Sequence, residues 1–397
     1  MRKKIFLSSP SLVCCAGLNA KELYESCLSG DRSGFVQREF NGKKYPVGQI
    51  RKELPQADVI NFGLEHYAGK TRLIRIINAS LCQMQEDIEK IISKYGKENI
   101  GVCLGSCDNG SEGSLIAHNA FLKDGSFPAD YNLRYQSASF LAEFAARKFD
   151  LKGPVFTIAT ACASGATAII RGAELIRSGV CKAVIAGGAD VVSDTVFAGF
   201  NSLEAVSCEH TNPFSRNRKG INLGEGAAFF ILDADEISNI ELMGMGESSD
   251  AYHMTAPGED GEGPARAMTA SFADAGIESE KIGYINLHGT GTILNDKAEG
   301  LALKKAFGSG SLNVPSSSTK PVTGHALGAA GALEAAICWM VLNEKRGLPV
   351  HLWDGVYDEE APFLPAGSLN LSPSICMSNS FAFGGCNVSL IFGRKDD

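Results

Sequence analysis

Several features of common protein classes are missing from this sequence of 397 residues. No stretch approaches the roughly 18 uninterrupted apolar residues of a membrane-spanning helix, so we expect no membrane span. The 37 basic residues do not outnumber the 45 acidic ones, and a net charge of −8 argues against broad nucleic-acid binding. At 44% hydrophobic residues, the chain is instead able to bury a large core.

Paired cysteine spacing is missing too, although the chain has twelve cysteines. A disulfide framework would show such pairs, so we expect reduced thiols and a cytoplasmic protein. Residues 1–4 and the apolar residues after them imitate a signal peptide, but the polar segment 8–11 interrupts the pattern and favours a first β-strand. Cys103 and Cys107 lack a second pair of ligands nearby, so we expect no metal site.

One cysteine has a distinctive position. The motif TACASG at 160–165 follows an apolar strand predicted over 155–159 and opens a helix predicted over 163–177, which places Cys162 at a helix N-terminus. The helix dipole and unpaired N–H groups there favour a thiolate, and a strand–turn–helix corner presents the side chain as a nucleophile elbow does. A lone cysteine is more often a small buried apolar residue, so this motif alone leaves both alternatives open.

Two histidines occupy comparable positions farther along the chain. An alternating apolar pattern over 282–287 predicts a strand that stops at His288, and glycines in the following loop allow backbone to approach a ligand. His325 precedes a Gly/Ala-rich helix predicted over 326–342, which carries Glu334 in an apolar run. Each histidine alone could be structural, but both stand at element ends, where functional groups are commonly presented.

Four motifs together resemble those of the β-ketoacyl-carrier-protein synthases of the elongating, Cys-His-His type, in the thiolase superfamily. They are TACASG at 160–165, NLHGTGT at 286–292, SSTKPVTGHALGAAGALEA at 317–335 and NSFAFGGCN at 379–387. The motifs occur in the family order, and the resemblance extends over nearly the whole chain. It implies an α/β, thiolase-like fold: two βαβ-type halves that form a duplicated, five-layered αβαβα body.

Weak similarities between the two halves of the sequence indicate the same duplication. Strands predicted over 99–105 and 281–287 both end in glycine-rich loops. We therefore predict an N-terminal half, residues 1–238, that carries the cysteine, and a C-terminal half, residues 239–397, that carries both histidines and a phenylalanine gate.

The resemblance implies a decarboxylative condensation and assigns its steps to residues. Cys162 would hold the acyl group, and His288 and His325 would stabilise the enolate formed when a malonyl group loses carbon dioxide. Lys320 and Glu334 would support the histidines electrostatically, although such a pair could equally be a buried salt bridge. A non-catalytic, chain-length-factor-like subunit or a Cys-His thioester hydrolase are the alternatives, and neither requires all three catalytic side chains.

The resemblance also implies an oxyanion hole and a gate. The backbone N–H groups of Cys162 and Phe383 would bind the oxyanion of the tetrahedral intermediate. The side chains of Phe200, Phe381 and Phe383 would gate the acyl pocket, which Asp108 would border. A carboxylate at that position suggests an acyl group that is short, polar-tipped or unsaturated.

Substrates of this family arrive on the phosphopantetheine arm of acyl carrier protein, and the resemblance implies no further cofactor. Lys70, Arg72 and Arg75, in a helix predicted over 67–92, are candidates for docking the acidic carrier, although they could form an ordinary solvated helix face. The partner subunit would be a second copy or a chain-length-factor-like homologue.

Some residues depart from the family pattern. Cys386 replaces a usual threonine, and Glu204 occupies a position that is often basic in the docking surface. The sequences of residues 212–226 and 348–354 resemble those of synthases for aryl polyene pigments more than those of housekeeping fatty-acid synthases. The pathway is therefore expected to be fatty-acid or aryl polyene biosynthesis.

Overall fold

The computed structural model describes residues 3–57, 71–108, 110–129, 131–137, 139–359, 361 and 371–395. The strands in these ranges are β1 (Phe6–Leu7), β2 (Ser11–Cys14), β3 (Phe35–Phe40), β4 (Lys43–Gly48), β5 (Ile100–Gly105), β6 (Val155–Ile158), β7 (Ala183–Asp190), β8 (Gly226–Asp233), β9 (Ile240–Ser249), β10 (Tyr284–Asn286), β11 (Ser316–Ser317), β12 (Ile375–Phe381) and β13 (Cys386–Arg394). The α-helices are α1 (Ala20–Ser29), α2 (Arg72–Gln83), α3 (Gln85–Tyr95), α4 (Ser111–Asp124), α5 (Phe140–Lys148), α6 (Ser164–Arg177), α7 (Asp194–Ser202), α8 (Glu262–Ala275), α9 (Ile293–Phe307), α10 (Lys320–Thr323) and α11 (Ala330–Glu344).

The sheet repeats one pattern twice. In the order β6-β5-β7-β8, the first two pairings are parallel and the third is antiparallel, and β11-β10-β12-β13 repeats this arrangement. The short strand β1 pairs with both β8 and β9 and so joins the two half-sheets edge to edge, while β3 and β4 form a separate hairpin. The predicted duplicated α/β fold is confirmed. The boundary predicted at 238/239 falls between β8 and β9 and stays a prediction.

Two helices lie between the half-sheets. Helix α6 packs on β5 and β7 and reaches β13, while α11 packs on β12 and β13 and also on β7 and β8. Every α11 residue from 330 to 342 is buried, as expected of a helix covered on all sides. Helices α2, α3 and α5 cover the outer face of the N-terminal half-sheet, and α8 covers that of the C-terminal one, with α9 against it. The layers are therefore α, β, α, β, α.

The strand ends determine where functional loops meet. Parallel strands in an α/β sheet present the loops at their carboxyl ends on one edge. Strand β6 leads into the 160–165 motif, β10 into the 286–292 motif, and β11 through α10 to His325. Strand β12 ends one residue short of the FGG turn at 383–385. The fold thus gathers all four motifs.

One helix prediction needed correction. The helix predicted over 67–92 is two helices, α2 and α3, separated at Met84, whose φ of −109° and ψ of 14° are not helical. Residues 58–70 lie outside the described ranges. None of the helices described is both long and apolar enough to cross a bilayer.

Candidate active site

The predicted catalytic side chains converge on one cavity of about 340 Å³. Cys162, His288, His325, Phe381 and Phe383 all border it. The thiol and both imidazoles are nearly inaccessible, with exposed fractions of 4%, 1% and 2%. A reaction among these groups would therefore take place in an enclosed space from which most water is excluded.

A tight corner holds the cysteine. Cys162 sits in a single 3-10 turn, Ala161–Ala163, directly before α6. Ala161 has a φ of 47°, a left-handed conformation that is uncommon for a residue with a side chain and is typical of constrained functional turns. The Ser164 hydroxyl fixes the corner, since it donates to the Ala161 carbonyl at 2.6 Å and accepts from the Thr160 N–H at 2.9 Å. Cys162 thus lies at the helix start that the sequence indicates.

The protonation of this thiol differs from the sequence-based expectation. Burial raises the pKa of Cys162 to about 12, and the positive charge of Lys320 only partly offsets this effect. The thiol therefore holds its proton at neutral pH. Cys82 and Cys208 are exposed, so fast alkylation of a cysteine does not by itself identify the nucleophile.

The two histidines form a pair of neutral donors. Their ring centroids are 5.4 Å apart and the rings are nearly perpendicular, at 86°. Burial lowers the pKa of His288 and of His325 well below the usual value, and Lys320 acts in the same direction. The ammonium of Lys320 lies 3.4 Å from His288 Nδ1 and can only donate, so it favours the tautomer with the proton on Nε2.

Lys320 and Glu334 form a buried ion pair behind His288. The Lys320 ammonium donates to Glu334 Oε1 and to the His288 carbonyl, both at 2.5 Å. The side chains are 1% and 3% exposed. Burial raises the pKa of Glu334 to about 7, and Lys320 opposes the rise. Lys320 and Glu334 therefore form a buried salt bridge and also place a charge next to the imidazole. The two alternatives from the sequence, a structural ion pair and electrostatic support of the histidines, both apply.

Sequence reasoning missed the carboxylate that supports the His288 loop. Glu299, on α9, accepts the backbone N–H groups of His288 at 2.9 Å and Gly289 at 2.7 Å. It is fully buried, and burial raises its pKa to about 8. Asp296, one turn earlier, accepts the Gly291 N–H at 3.2 Å. Two acidic residues one turn apart, in the helix that directly follows the glycine-rich loop, are the signal that could have identified them.

A second cavity, of about 560 Å³, lies on the other side of the cysteine. Cys162, Phe200 and Phe383 border both cavities. The rings of Phe200 and Phe383 stack between them, with centroids 5.5 Å apart and an interplanar angle of 22°. Phe381 instead packs edge-on against His288, at 6.1 Å. Phe200 and Phe383 therefore have the geometry of a gate, whereas Phe381 supports an imidazole.

The FGG turn positions the Phe383 backbone. Gly384 and Gly385 both have positive φ, 82° and 77°, which a side chain would strain. The Gly384 N–H donates to the Met254 carbonyl at 2.8 Å. Cys386, in place of the usual threonine, uses its backbone carbonyl to accept the Ala382 N–H at 2.8 Å. The turn is thus closed by backbone contacts that do not depend on the residue type at 386.

The structure places Asp108 away from the acyl-side cavity. Its carboxylate accepts the Ser111 N–H at 2.8 Å at the start of α4, and burial raises its pKa. Asp108 is not among the described residues that border either cavity, while its neighbour Cys107 borders the second one. A carboxylate next to the acyl chain, and the substrate preference inferred from it, therefore do not follow from this geometry.

The predicted docking residues are only partly available. The Arg72 guanidinium pairs with buried Glu225, and Nε lies 2.7 Å from Oε2. Arg75 donates to the Leu54 carbonyl at 2.9 Å. Lys70 lies outside the described residues. The Arg72 charge is thus largely neutralised within the chain, so Arg72 is a weaker candidate for binding an acidic carrier protein.

Comparisons with known proteins identify the family. The β-ketoacyl synthase N-terminal domain model matches residues 75–236, and the C-terminal domain model matches 240–351. A 3-oxoacyl-[acyl-carrier-protein] synthase 2 from Coxiella burnetii is 30% identical over 100% of both chains, and one from Vibrio cholerae is 36% identical over 79% of this chain and 80% of its own. The chain belongs to the β-ketoacyl synthase family. The resemblance drawn from the four motifs is confirmed, and this β-ketoacyl synthase is an acyltransferase-type enzyme.

A solved structure extends the likeness to the whole synthase. A ketosynthase (ApeO), in complex with its chain length factor (ApeC) from Xenorhabdus doucetiae, is 36% identical. It covers 99% of this chain and 98% of its own, with a TM-score of 0.90. In the part of the synthase that the structure describes, no three or more His, Cys, Asp or Glu side chains are placed to hold a metal ion.

Proposed function

We propose that this β-ketoacyl synthase condenses an acyl group on Cys162 with malonyl-acyl carrier protein, releases carbon dioxide, and forms a β-ketoacyl carrier protein two carbons longer. The observation that carries the proposal is that one thiol, which borders both cavities, meets two neutral imidazoles in the first of them. A thiol forms the covalent intermediate, and neutral imidazoles can donate hydrogen bonds to a developing enolate.

The first half-reaction is transfer of the acyl group. The Cys162 sulfur attacks the thioester carbonyl, the C–S bond to the carrier's pantetheine breaks, and the thiol proton goes to the departing sulfur. Negative charge develops on the carbonyl oxygen, where the backbone N–H groups of Cys162 and Phe383 would stabilise it. Lys320 lowers the pKa of the thiol and so lowers the cost of generating the thiolate.

The second half-reaction uses the histidines. The malonyl carboxylate leaves as carbon dioxide, and its bonding electrons form an enolate whose oxygen accepts hydrogen bonds from Nε2–H of His288 and from His325. The carbanion carbon then attacks the acyl carbonyl on Cys162, and the C–S bond breaks to return the thiolate, which takes up one proton from water to restore the thiol. Because both imidazoles are neutral, they stabilise the enolate without donating a proton to the carbon that must attack.

The two cavities divide the substrates. The first cavity, which the histidines border, would take the extender and the end of the pantetheine arm. The second, lined by apolar residues beyond Phe200 and Phe383, would hold the acyl chain. The thiol and imidazoles supply all the chemistry of this scheme, so we propose that no metal or further cofactor takes part.

The partners are a carrier protein and a second subunit. A relative of 36% identity is bound to its chain length factor, and we propose a heterodimer of that kind or a homodimer. Among the described strands, β6 lies at one edge of the sheet and offers a surface: its Phe156 is 48% exposed, and α4 exposes Ile116 and Leu122. All twelve cysteines are free, which supports a cytoplasmic location. The pathway would be fatty-acid or aryl polyene biosynthesis.

The alternatives account for less of the site. A non-catalytic, chain-length-factor-like subunit has no need of Cys162, and a thioester hydrolase has no need of a second histidine. This chain has Cys162, His288 and His325 around a single cavity. Condensation is the reaction that uses all three.

Intact-protein mass spectrometry after incubation with acyl- and malonyl-carrier protein tests the proposal. We expect an acyl adduct on the wild type that is lost in Cys162→Ala. The matched control is Cys208→Ala, an exposed cysteine that borders neither cavity. His288→Ala and His325→Ala should keep the adduct but lose roughly two orders of magnitude in condensation. An adduct on Cys162→Ala, or product formation by the double histidine variant at the wild-type rate, would refute the scheme.

A further inference from the structure

Strand β7 ends in a carboxylate that the scheme above does not use. Asp190 is completely buried, at 0% exposed, on the central strands of the N-terminal half-sheet. A buried carboxylate is costly unless its oxygens accept hydrogen bonds, so its donors show which parts of the chain it holds.

Four donors from two distant segments surround Asp190. Oδ1 accepts the Ser106 hydroxyl and the Asp108 N–H, both at 3.0 Å, and Oδ2 accepts the Cys107 N–H at 2.8 Å. The fourth donor is the N–H of Gly328, 2.6 Å from Oδ2 and 138 residues away in sequence. One side chain thus connects the loop after β5 to the turn before α11.

Both connected segments form the wall of the acyl-side cavity. Cys107 and Leu327 border this cavity together with Cys162. Leu327 has a φ of 52°, a conformation that its neighbours must impose. A Cβ on Gly328 would lie 2.6 Å from Asp190 Oδ2, so glycine is required for this close approach. The wall is therefore set by the carboxylate and not by local preference.

We propose that Asp190 is a positioning residue for acyl selection: it fixes Cys107 and Leu327 and thereby the shape of the cavity that receives the acyl chain. This inference rests on the proposed condensation. A short acyl group on Cys162 would contact only a small part of this wall, whereas a longer one would lie along it. Asp190 therefore affects long primers more than short ones and leaves the histidine-dependent decarboxylation unchanged.

The variant Asp190→Asn keeps the size of the side chain and removes half of its accepting capacity. An amide has one oxygen, and its NH₂ group would face backbone N–H donors that need an acceptor. The matched control is Asp233→Asn, a 1% exposed carboxylate at the opposite end of the same strand pair, where Ala183 pairs with Asp233 and Asp190 with Gly226.

The experiment compares acetyl and octanoyl transfer from carrier protein to Cys162, and separately the decarboxylation of malonyl-carrier protein without a primer. For Asp190→Asn we expect octanoyl transfer to fall about tenfold or more relative to acetyl transfer, as a wall displaced by about 1 Å would cause. Decarboxylation and the Asp233→Asn control should match the wild type. An equal loss for both acyl groups, or no loss, would overturn the inference.

A second variant covers the case in which Asp190→Asn does not fold. Ser106→Ala removes a single donor and should shift the octanoyl-to-acetyl ratio in the same direction by a smaller factor. An unchanged ratio in this variant would overturn the inference equally. If the wild type neither takes up an acyl group nor decarboxylates the extender, the proposed condensation fails instead, so the two failures are distinguishable.

Discussion

Replacing Lys320 with methionine should move the acid limb of the pH–rate profile. The Lys320 ammonium is 3.4 Å from His288 Nδ1. At that distance, and with an effective dielectric constant of about 20, a second positive charge on the ring would cost about 5 kcal/mol. Glu334 cancels part of this, since it pairs with the same ammonium. We therefore expect the substitution to raise the pKa of His288 toward its usual value, while burial still holds it below that value.

The usual imidazole pKa of about 6.5 sets an upper limit to the effect, because burial still lowers the pKa of His288 in the variant. At that limit about one quarter of the imidazole would be neutral at about pH 6 and nearly all of it at about pH 8. The ratio of the decarboxylation rate at the lower pH to the rate at the higher pH should thus fall, by at most about fourfold. Glu334, left without its cation, becomes protonated and adds no charge near the ring. His325 also lies close enough to affect the pKa of His288, but burial lowers the pKa of His325 and keeps this second imidazole neutral.

The assay is kcat/KM for malonyl-carrier protein decarboxylation from about pH 5.5 to about pH 8.5. Removing one partner of a buried pair also costs about 3–5 kcal/mol of stability, so the control is the double variant Lys320→Met with Glu334→Gln, which removes both charges. The double variant should regain stability but keep the shifted acid limb. If activity falls by the same factor at every pH in both variants, Lys320 does not control the protonation of His288 and this reasoning fails.

Two further substitutions test the gate and the subunit surface. Phe200→Ala removes a stacking contact with Phe383 worth about 0.5–1.5 kcal/mol, so the acyl thioester on Cys162 should be exposed to water and hydrolyse faster. Its lifetime is measured by mass spectrometry, and an unchanged lifetime would argue against a gate. Phe156→Lys places a charge on the exposed edge strand and should convert the assembly to monomers in light scattering, whereas Tyr252→Lys, at another exposed aromatic residue, should not. A retained assembly in Phe156→Lys would locate the interface elsewhere.

The catalytic placements were predictable because they depend on local sequence. Cys162, His288 and His325 each follow a strand or a glycine-rich turn, and such boundaries leave clear signals in periodicity and glycine content. The predicted strand over 282–287 is shorter in the structure, Tyr284–Asn286, but it still ends just before the histidine. Errors of one or two residues at element ends do not move the functional group to another edge of the sheet.

The electrostatics were not predictable, because they depend on contacts between distant segments. Arg72 pairs with Glu225, which is 153 residues away in sequence. The sequence shows Arg72 only as part of a basic cluster, whereas in the fold its charge is neutralised. The Cys162 thiol was expected to favour its anion, yet the central position of its helix leaves it nearly inaccessible, and desolvation opposes the helix dipole. Local motifs indicate where a group stands, and the packing around it decides its charge.

The duplication itself explains why the nucleophile and a histidine meet. Cys162 lies in the 3-10 turn directly before α6, and His325 lies just ahead of the 3-10 turn that precedes α11, so each half brings one of the two residues close to the start of its central helix. The helix starts can approach each other because small residues line their contact: a Cβ on Gly165 would lie 2.7 Å from the Gly328 carbonyl, and one on Gly331 would lie 2.9 Å from Ala166 Cβ. The close approach brings the positive ends of two helix dipoles to the point where first an oxyanion and then an enolate must form. The glycines of the two helix motifs are thus part of the electrostatic design of the site, since any side chain at these positions would separate the helix ends.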